Sequence, residues 1–202
     1  MKAETNEISH QTSSALFQDL DFRQTINLVV AENLKVLGTI DFVPVSQLAR
    51  SILNYDRIFV AGEGRSGLAI QMAAMRLMHL GLEVHVVGEV TAPAIEAGDL
   101  LITCSGSGST HGVVDLAQTA KEIGTTIATV TTNNNSPLGE LAEIVIQVEA
   151  ASKDSHHLRS KQFAGSLFEQ STLLLFDALF YLLTDYLDKS DRVLMARHTN
   201  LE

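Results

Sequence analysis

Two short segments have the residue types and spacing to hold an anion. "SGSGST" (105–110) puts four hydroxyls into six residues directly after an apolar run, and "GEGRSG" (62–67) follows another such run. Glycine removes the Cβ that would block a close approach, and serine and threonine supply short donors. Each segment leads into a helical pattern, whose first N–H groups lack partners and carry partial positive charge. Ser105, Ser107 and Thr110 therefore read as a monophosphate cradle. The bland alternative is that these residues only cap helices and form turns. Gly62, Gly64 and Gly67 also match G-x-G-x-x-G, but the acidic residue that should end the second strand is missing. Glu83 precedes that strand and Glu89 follows it by a glycine, so a nicotinamide site has little support.

The elements that must position these loops alternate along the chain. The expected strands are 57–62, 84–88, 99–105, 126–131 and 144–149. Between and after them lie helices at 66–80, 110–123 and 166–187, with a short helical turn near 137–142. An amphipathic helix over 15–38, with Leu16, Leu20, Ile26, Val29, Val30, Leu34 and Leu37 on one period, and a shorter one over 45–53 precede them. Apolar strands separated by helices imply an α/β fold, a parallel sheet covered on both faces. In the strand order 2-1-3-4-5 the switch point falls between strands one and three, so both loops border one crevice. Residues 150–162 read as a mobile loop. The terminal "YLDKSDRVLMARHTNLE" loses the helical period, and either frays or docks on a neighbouring subunit.

The chain has 202 residues, 46% apolar and 19% charged, which suits one compact domain. A net charge of −10 excludes a generic binder of nucleic acid or anionic membrane, since such surfaces recruit Lys and Arg. Any anionic ligand must be held locally. Cys104 is the sole cysteine, and no disulfide framework exists. The polar start "MKAETNEISHQTSS" lacks a signal-peptide core, and no run of about 18 uninterrupted apolar residues occurs. The expectation is a soluble cytoplasmic protein. Cys104, at a strand end, reads as a small buried apolar residue rather than a nucleophile. His156 and His157 form no zinc spacing with it, so no metal site is expected. His111 reads as a first-turn helix residue, and Met72, Met75 and Leu77 to Leu80 as a packing face.

Taken in order, "GEGRSG", "MRLMHLG", "VVGEVTAPAIEAGDLLITCSGSGST", "GSLFEQ" and "RHTNLE" resemble the 6-phospho-3-hexuloisomerase family of the sugar isomerase (SIS) domain superfamily. The resemblance spans nearly the whole chain. It implies a three-layer α/β/α sandwich with a five-stranded parallel sheet, here a single domain over 1–202 with its core at 57–149 and its C-terminal helix and tail at 163–202. It also implies a homotetramer that converts D-arabino-hex-3-ulose 6-phosphate to D-fructose 6-phosphate without a cofactor. The place implied is the ribulose monophosphate pathway, in formaldehyde fixation or detoxification, downstream of 3-hexulose-6-phosphate synthase. Glu63 and Ser109 depart from the family pattern, where a small residue and Glu are common.

Moving a carbonyl from C3 to C2 requires a base for the C2 proton, an enediol, and proton return to C3. The resemblance assigns the base to Glu169, although "SLFE" alone reads as a capping box. It makes His79 an acid or ring-oxygen partner. The alternative is a helix-terminal histidine before Gly81. His198 is the third catalytic candidate. Ser66, Ser105, Ser107 and Thr110 are expected to hold the phosphate, and Gly64, Arg65, Gly106 and Gly108 the rest of the substrate, with a surface ion pair as the alternative for Arg65. Two other functions stay open: another SIS isomerase, or a non-catalytic sugar-phosphate sensor.

Overall fold

The computed structural model describes residues 22–150 and 160–201. Its sheet is built from β1 (Arg57–Gly62), β2 (Glu83–Val86), β3 (Leu100–Cys104), β4 (Thr126–Thr131) and β5 (Ile144–Gln147). All pairings are parallel, in the order β2-β1-β3-β4-β5. The order and the α/β class match the sequence expectation. The expected strands at 84–88, 99–105 and 144–149 each overrun the observed ones by two residues, and β2 starts one residue before its expected position.

The helices are α1 (Phe22–Leu37), α2 (Phe42–Asn54), α3 (Gly64–Leu80), α4 (His111–Ile123), α5 (Pro137–Leu141), α6 (Ser166–Tyr186) and α7 (Asp191–Met195). Alternation along the strands divides the core. Ile58, Val60, Leu100, Ile102 and Val130 face α1, α2, α3 and α6. Phe59, Ala61, Leu101 and Ile127 face α4 and α5. Each fully buried aliphatic side chain contributes about 1.5–3 kcal/mol, so this two-sided burial is what fixes the register. At the opposite end of β1 from the loops, Arg57 clasps Asp99 through Nε (2.9 Å) and Nη2 (2.7 Å).

Several expected packing faces are revised. Leu16 and Leu20 lie outside the described residues, as do 151–159 of the expected loop. In α1, Ile26, Val30 and Leu34 are exposed, while Asn33 and Val36 turn inward. The inward register is set by Asn33, which donates to Gln170 (2.7 Å) and accepts from Ser171 (3.0 Å). Met72 and Met75 are 50% and 56% exposed, not core. In α3 the inward stripe is Ile70, Ala73, Ala74, Leu77 and Leu80, whose small alanines let α6 approach closely. Helix α6 is long and apolar enough to cross a membrane by composition, but its Leu175, Phe176, Leu179 and Leu183 sit in the core. The tail after α6 is ordered within its own chain. It forms α7 and folds back so that the Arg197 guanidinium lies against Gly81 at the end of α3.

Candidate active site

The loops after β1 and β3 meet at the switch point and enclose a cleft of about 290 Å³, near the lower end of the roughly 300–1,000 Å³ typical of small-molecule sites. Its walls are Glu63, Gly64, Arg65 and Ser66 from the first loop, Cys104 to Ser107 and Thr110 from the second, and Gly165, Phe168 and Glu169 from the start of α6. The fold thus gathers residues 104 positions apart in sequence into one crevice.

The first loop is shaped by close approach. A side chain at Gly67 would overlap the carbonyl of Gly62, which lets α3 start directly over β1. In the second loop the Gly106 carbonyl accepts from the Thr132 amide (3.0 Å) and the Thr132 hydroxyl (2.8 Å). A trans peptide directs its N–H opposite to its C=O, so the Ser107 N–H points away from β4 and toward the cleft. Ser105 Oγ pairs with Thr110 Oγ1 at 2.8 Å. Neither Thr110 nor Glu63 caps its own helix with its side chain, so the first-turn amides of α3 and α4 keep no side-chain acceptor from those positions. Thr110 thus holds the cap position without a side-chain cap bond, while the turn-forming part of the bland reading is met by Ser107 Oγ, which accepts from the Ser109 amide at 3.3 Å.

The capping box at α6 is also absent. Ser166 is the first helical residue, Gly165 occupies the cap position, and no side-chain cap bond forms. Glu169 instead turns into the cleft and accepts from Arg65 Nε in an ion pair. The carboxylate is 13% exposed and the guanidinium 63%, so a largely enclosed acid is held by a largely accessible base. Both the ion pair expected for Arg65 as the bland reading and its place in the cleft hold at once.

The segment leading into α6 is fastened from α1. Glu32 accepts from the Ser160 hydroxyl (2.7 Å), the Lys161 amide (3.0 Å) and the Gln162 side-chain amide (3.0 Å). Burial raises the Glu32 carboxyl, but these donors outweigh it and hold it below its ordinary range. Burial pushes the Cys104 thiol up to about 12, with the Thr172 and Ser66 hydroxyls beside it, so it stays a neutral wall residue.

Three expected site residues stand apart. Gly108 is buried behind the loop at φ +65°, where any side chain would overlap Ser136. Its role is to let the turn close. His79 lies at the far end of α3, about 20 Å from Ser66 at 1.5 Å per residue. His198 stacks on it, with ring centroids 5.4 Å apart and planes inclined by 7°. Neither reaches its own chain's cleft. Burial, then Arg76 and His198, lower the His79 value. Among the described residues no group of three His, Cys, Asp or Glu could hold a metal ion. Glu63, Gly165 and Phe168 line the cleft without having been assigned to it. Phe168 carries no polar group for spacing to flag, and Glu63 reads in the sequence as a departure from the family pattern.

A parallel sheet of this order, with two Ser/Gly loops and a carboxylate at the switch point, defines a doubly wound α/β domain with a polar ligand cleft at its switch point. The model of the SIS domain matches residues 51–180, and the chain belongs to that family. It is 50% identical to the 3-hexulose-6-phosphate isomerase of Mycobacterium gastri, over 90% of this chain and 92% of that one. It is 40% identical to the enzyme of the same name from Bacillus subtilis, over 77% and 85%. A crystal structure from Methanococcus jannaschii, described as inferring a molecular function of 3-hexulose-6-phosphate isomerase, superposes with a TM-score of 0.77. It is 32% identical and covers 89% of this chain and 99% of that one.

Proposed function

We propose that this chain is a phosphosugar isomerase that interconverts D-arabino-hex-3-ulose 6-phosphate and D-fructose 6-phosphate. The observation that carries the reading is the placement of Glu169 in the same cleft as the Ser/Gly cradle. Near-full-length similarity to enzymes named for this reaction supports it.

Ser66, Ser105, Ser107 and Thr110 hold the phosphate, helped by the start of α4. Gly64 and Gly106 allow the ligand close to the backbone, and Arg65 offers its two terminal nitrogens to the sugar while Nε keeps Glu169. Glu169 takes the proton from C2, leaving an enediolate across C2 and C3, and returns a proton to C3. Proton transfer of this kind requires no cofactor. A second group must serve the oxygens, and His79 with His198 fills that role from a neighbouring copy. Exposed apolar side chains on α1 (Ile26, Val30, Leu34) and α3 (Leu68, Met72, Met75) suit such an assembly, for which a homotetramer is proposed. The chain acts as one domain in the cytoplasm, downstream of 3-hexulose-6-phosphate synthase.

The test is to supply the purified protein with 3-hexulose 6-phosphate, made in place from ribulose 5-phosphate and formaldehyde by a synthase, and to follow fructose 6-phosphate. Turnover well above the uncatalysed background is expected. Its absence would falsify the reading, and turnover of arabinose 5-phosphate instead would favour another SIS isomerase.

A further inference from the structure

Glu63 occupies the cap position of α3 in extended backbone (φ −115°, ψ 154°), yet its side chain makes no bond to that helix. It crosses to α4 instead. There its Oε1 fills the space that a methyl group on Gly112 would need. Gly112 is the second residue of α4 and has ordinary helical backbone, so nothing in its own conformation calls for glycine. Glycine inside a helix is disfavoured relative to alanine. The Glu63 carboxylate lies over the empty Cβ position. Glu63 also lines the cleft, together with Ser105, Ser107, Thr110 and Glu169. The only cation in that lining is Arg65, and it is already paired with Glu169. Among the described residues no hydrogen bond or ion pair to another side chain compensates Glu63, which is exposed.

We propose that Glu63 is a tethered competitor for the phosphate site: its carboxylate rests over the first turn of α4, where a substrate phosphate must come, and Gly112 is the seat that admits it. This rests on the phosphate reading of the Ser/Gly loop and adds a regulator of its affinity. Each phosphate that enters displaces or repels one negative charge already present. The consequence is uniform weakening of substrate and product binding, which costs nothing in the chemical step and speeds departure of the product. Opposite charges favour helix N-termini by amounts worth about twofold to fivefold in binding. Adding direct repulsion between two anions, the expected effect of removing the competitor is about threefold to tenfold.

The experiment titrates inorganic phosphate calorimetrically into the wild-type protein, Glu63→Gln, Gly112→Ala and the double variant, and measures phosphate inhibition and KM alongside. Glu63→Gln removes the charge, and Gly112→Ala evicts the carboxylate while improving the helix. Each single variant is expected to bind phosphate about threefold to tenfold more tightly, with KM and the phosphate inhibition constant falling together. The double variant should gain no more than either single one, because both remove one occupant from one seat. Phosphate affinity unchanged or weakened in both singles, while Ser105→Ala still weakens it, overturns the role of Glu63 alone. Affinity that Ser105→Ala also leaves unchanged overturns the cradle and this inference with it.

Discussion

Arg65 Nε donates to Oε2 of Glu169, and the pair ties the start of α3 to the first turn of α6 across the floor of the cleft. The side chain proposed as the base is thus oriented by a guanidinium that remains 63% exposed. Converting Glu169 to Gln keeps the shape and removes the base. A loss of about 10²–10⁴ in kcat is expected, with phosphate binding retained in calorimetry. Near-normal turnover by a folded Glu169→Gln protein would take the base assignment away.

The cradle should act on binding more than on chemistry. Ser105→Ala or Ser107→Ala removes a donor to a charged group, a change of about 1.5–3 kcal/mol. KM for the sugar phosphate and the inhibition constant for inorganic phosphate are expected to rise about tenfold or more, with a smaller change in kcat. Steady-state kinetics against both ligands separates the two effects.

Because His79 and His198 stand some 20 Å from their own cleft, the catalytic role proposed for them can operate only across an interface. His79→Asn and Glu169→Gln should each be nearly inactive alone. Co-expressed, they should form mixed assemblies in which some clefts receive an intact histidine and an intact carboxylate, and activity should return. Mixtures that form, as shown by mass spectrometry, and stay inactive would rule out shared sites.

Stability should fall on mild acidification. His79 has a folded value lowered by burial and by Arg76 and His198, so the unfolded chain binds its proton first. The full stability contribution is present above the ordinary histidine value of about 6.5 and is lost as pH falls from there through the lowered folded value. Glu32 and Glu143 behave likewise in a more acidic window, lost as pH falls below the ordinary glutamate value of about 4.3. Thermal melts should show a flat Tm near pH 7–8 and a decline below about pH 6.5. His79→Gln should remove the first decline and leave the second.

The strand positions were legible because their apolar runs are short and bounded by turn residues, and the switch-point crevice followed from strand order alone. The Ser/Gly loop was legible because four hydroxyls exceed what a cap can use. What periodicity could not show was which of two apolar stripes on one helix faces inward. In α3 the inward stripe is mostly alanine, and the bulkier methionines face out. Nor could spacing reveal that "SLFE" would decline its capping box, because the competing partner, Arg65, comes from a distant loop. A different long-range contact hid Glu63, whose carboxylate lies against a glycine 49 positions later in the chain.

The clasp between Glu32 and residues 160–162 reaches outside residues 51–180, the span shared with the family. A chain trimmed to the shared span would lose this tether of the segment that carries Glu169, together with the buried core side chains Val36, Leu48 and Leu183. In this protein every residue that lines the cleft lies within the family's common span, while a helix beyond that span steadies the approach to Glu169.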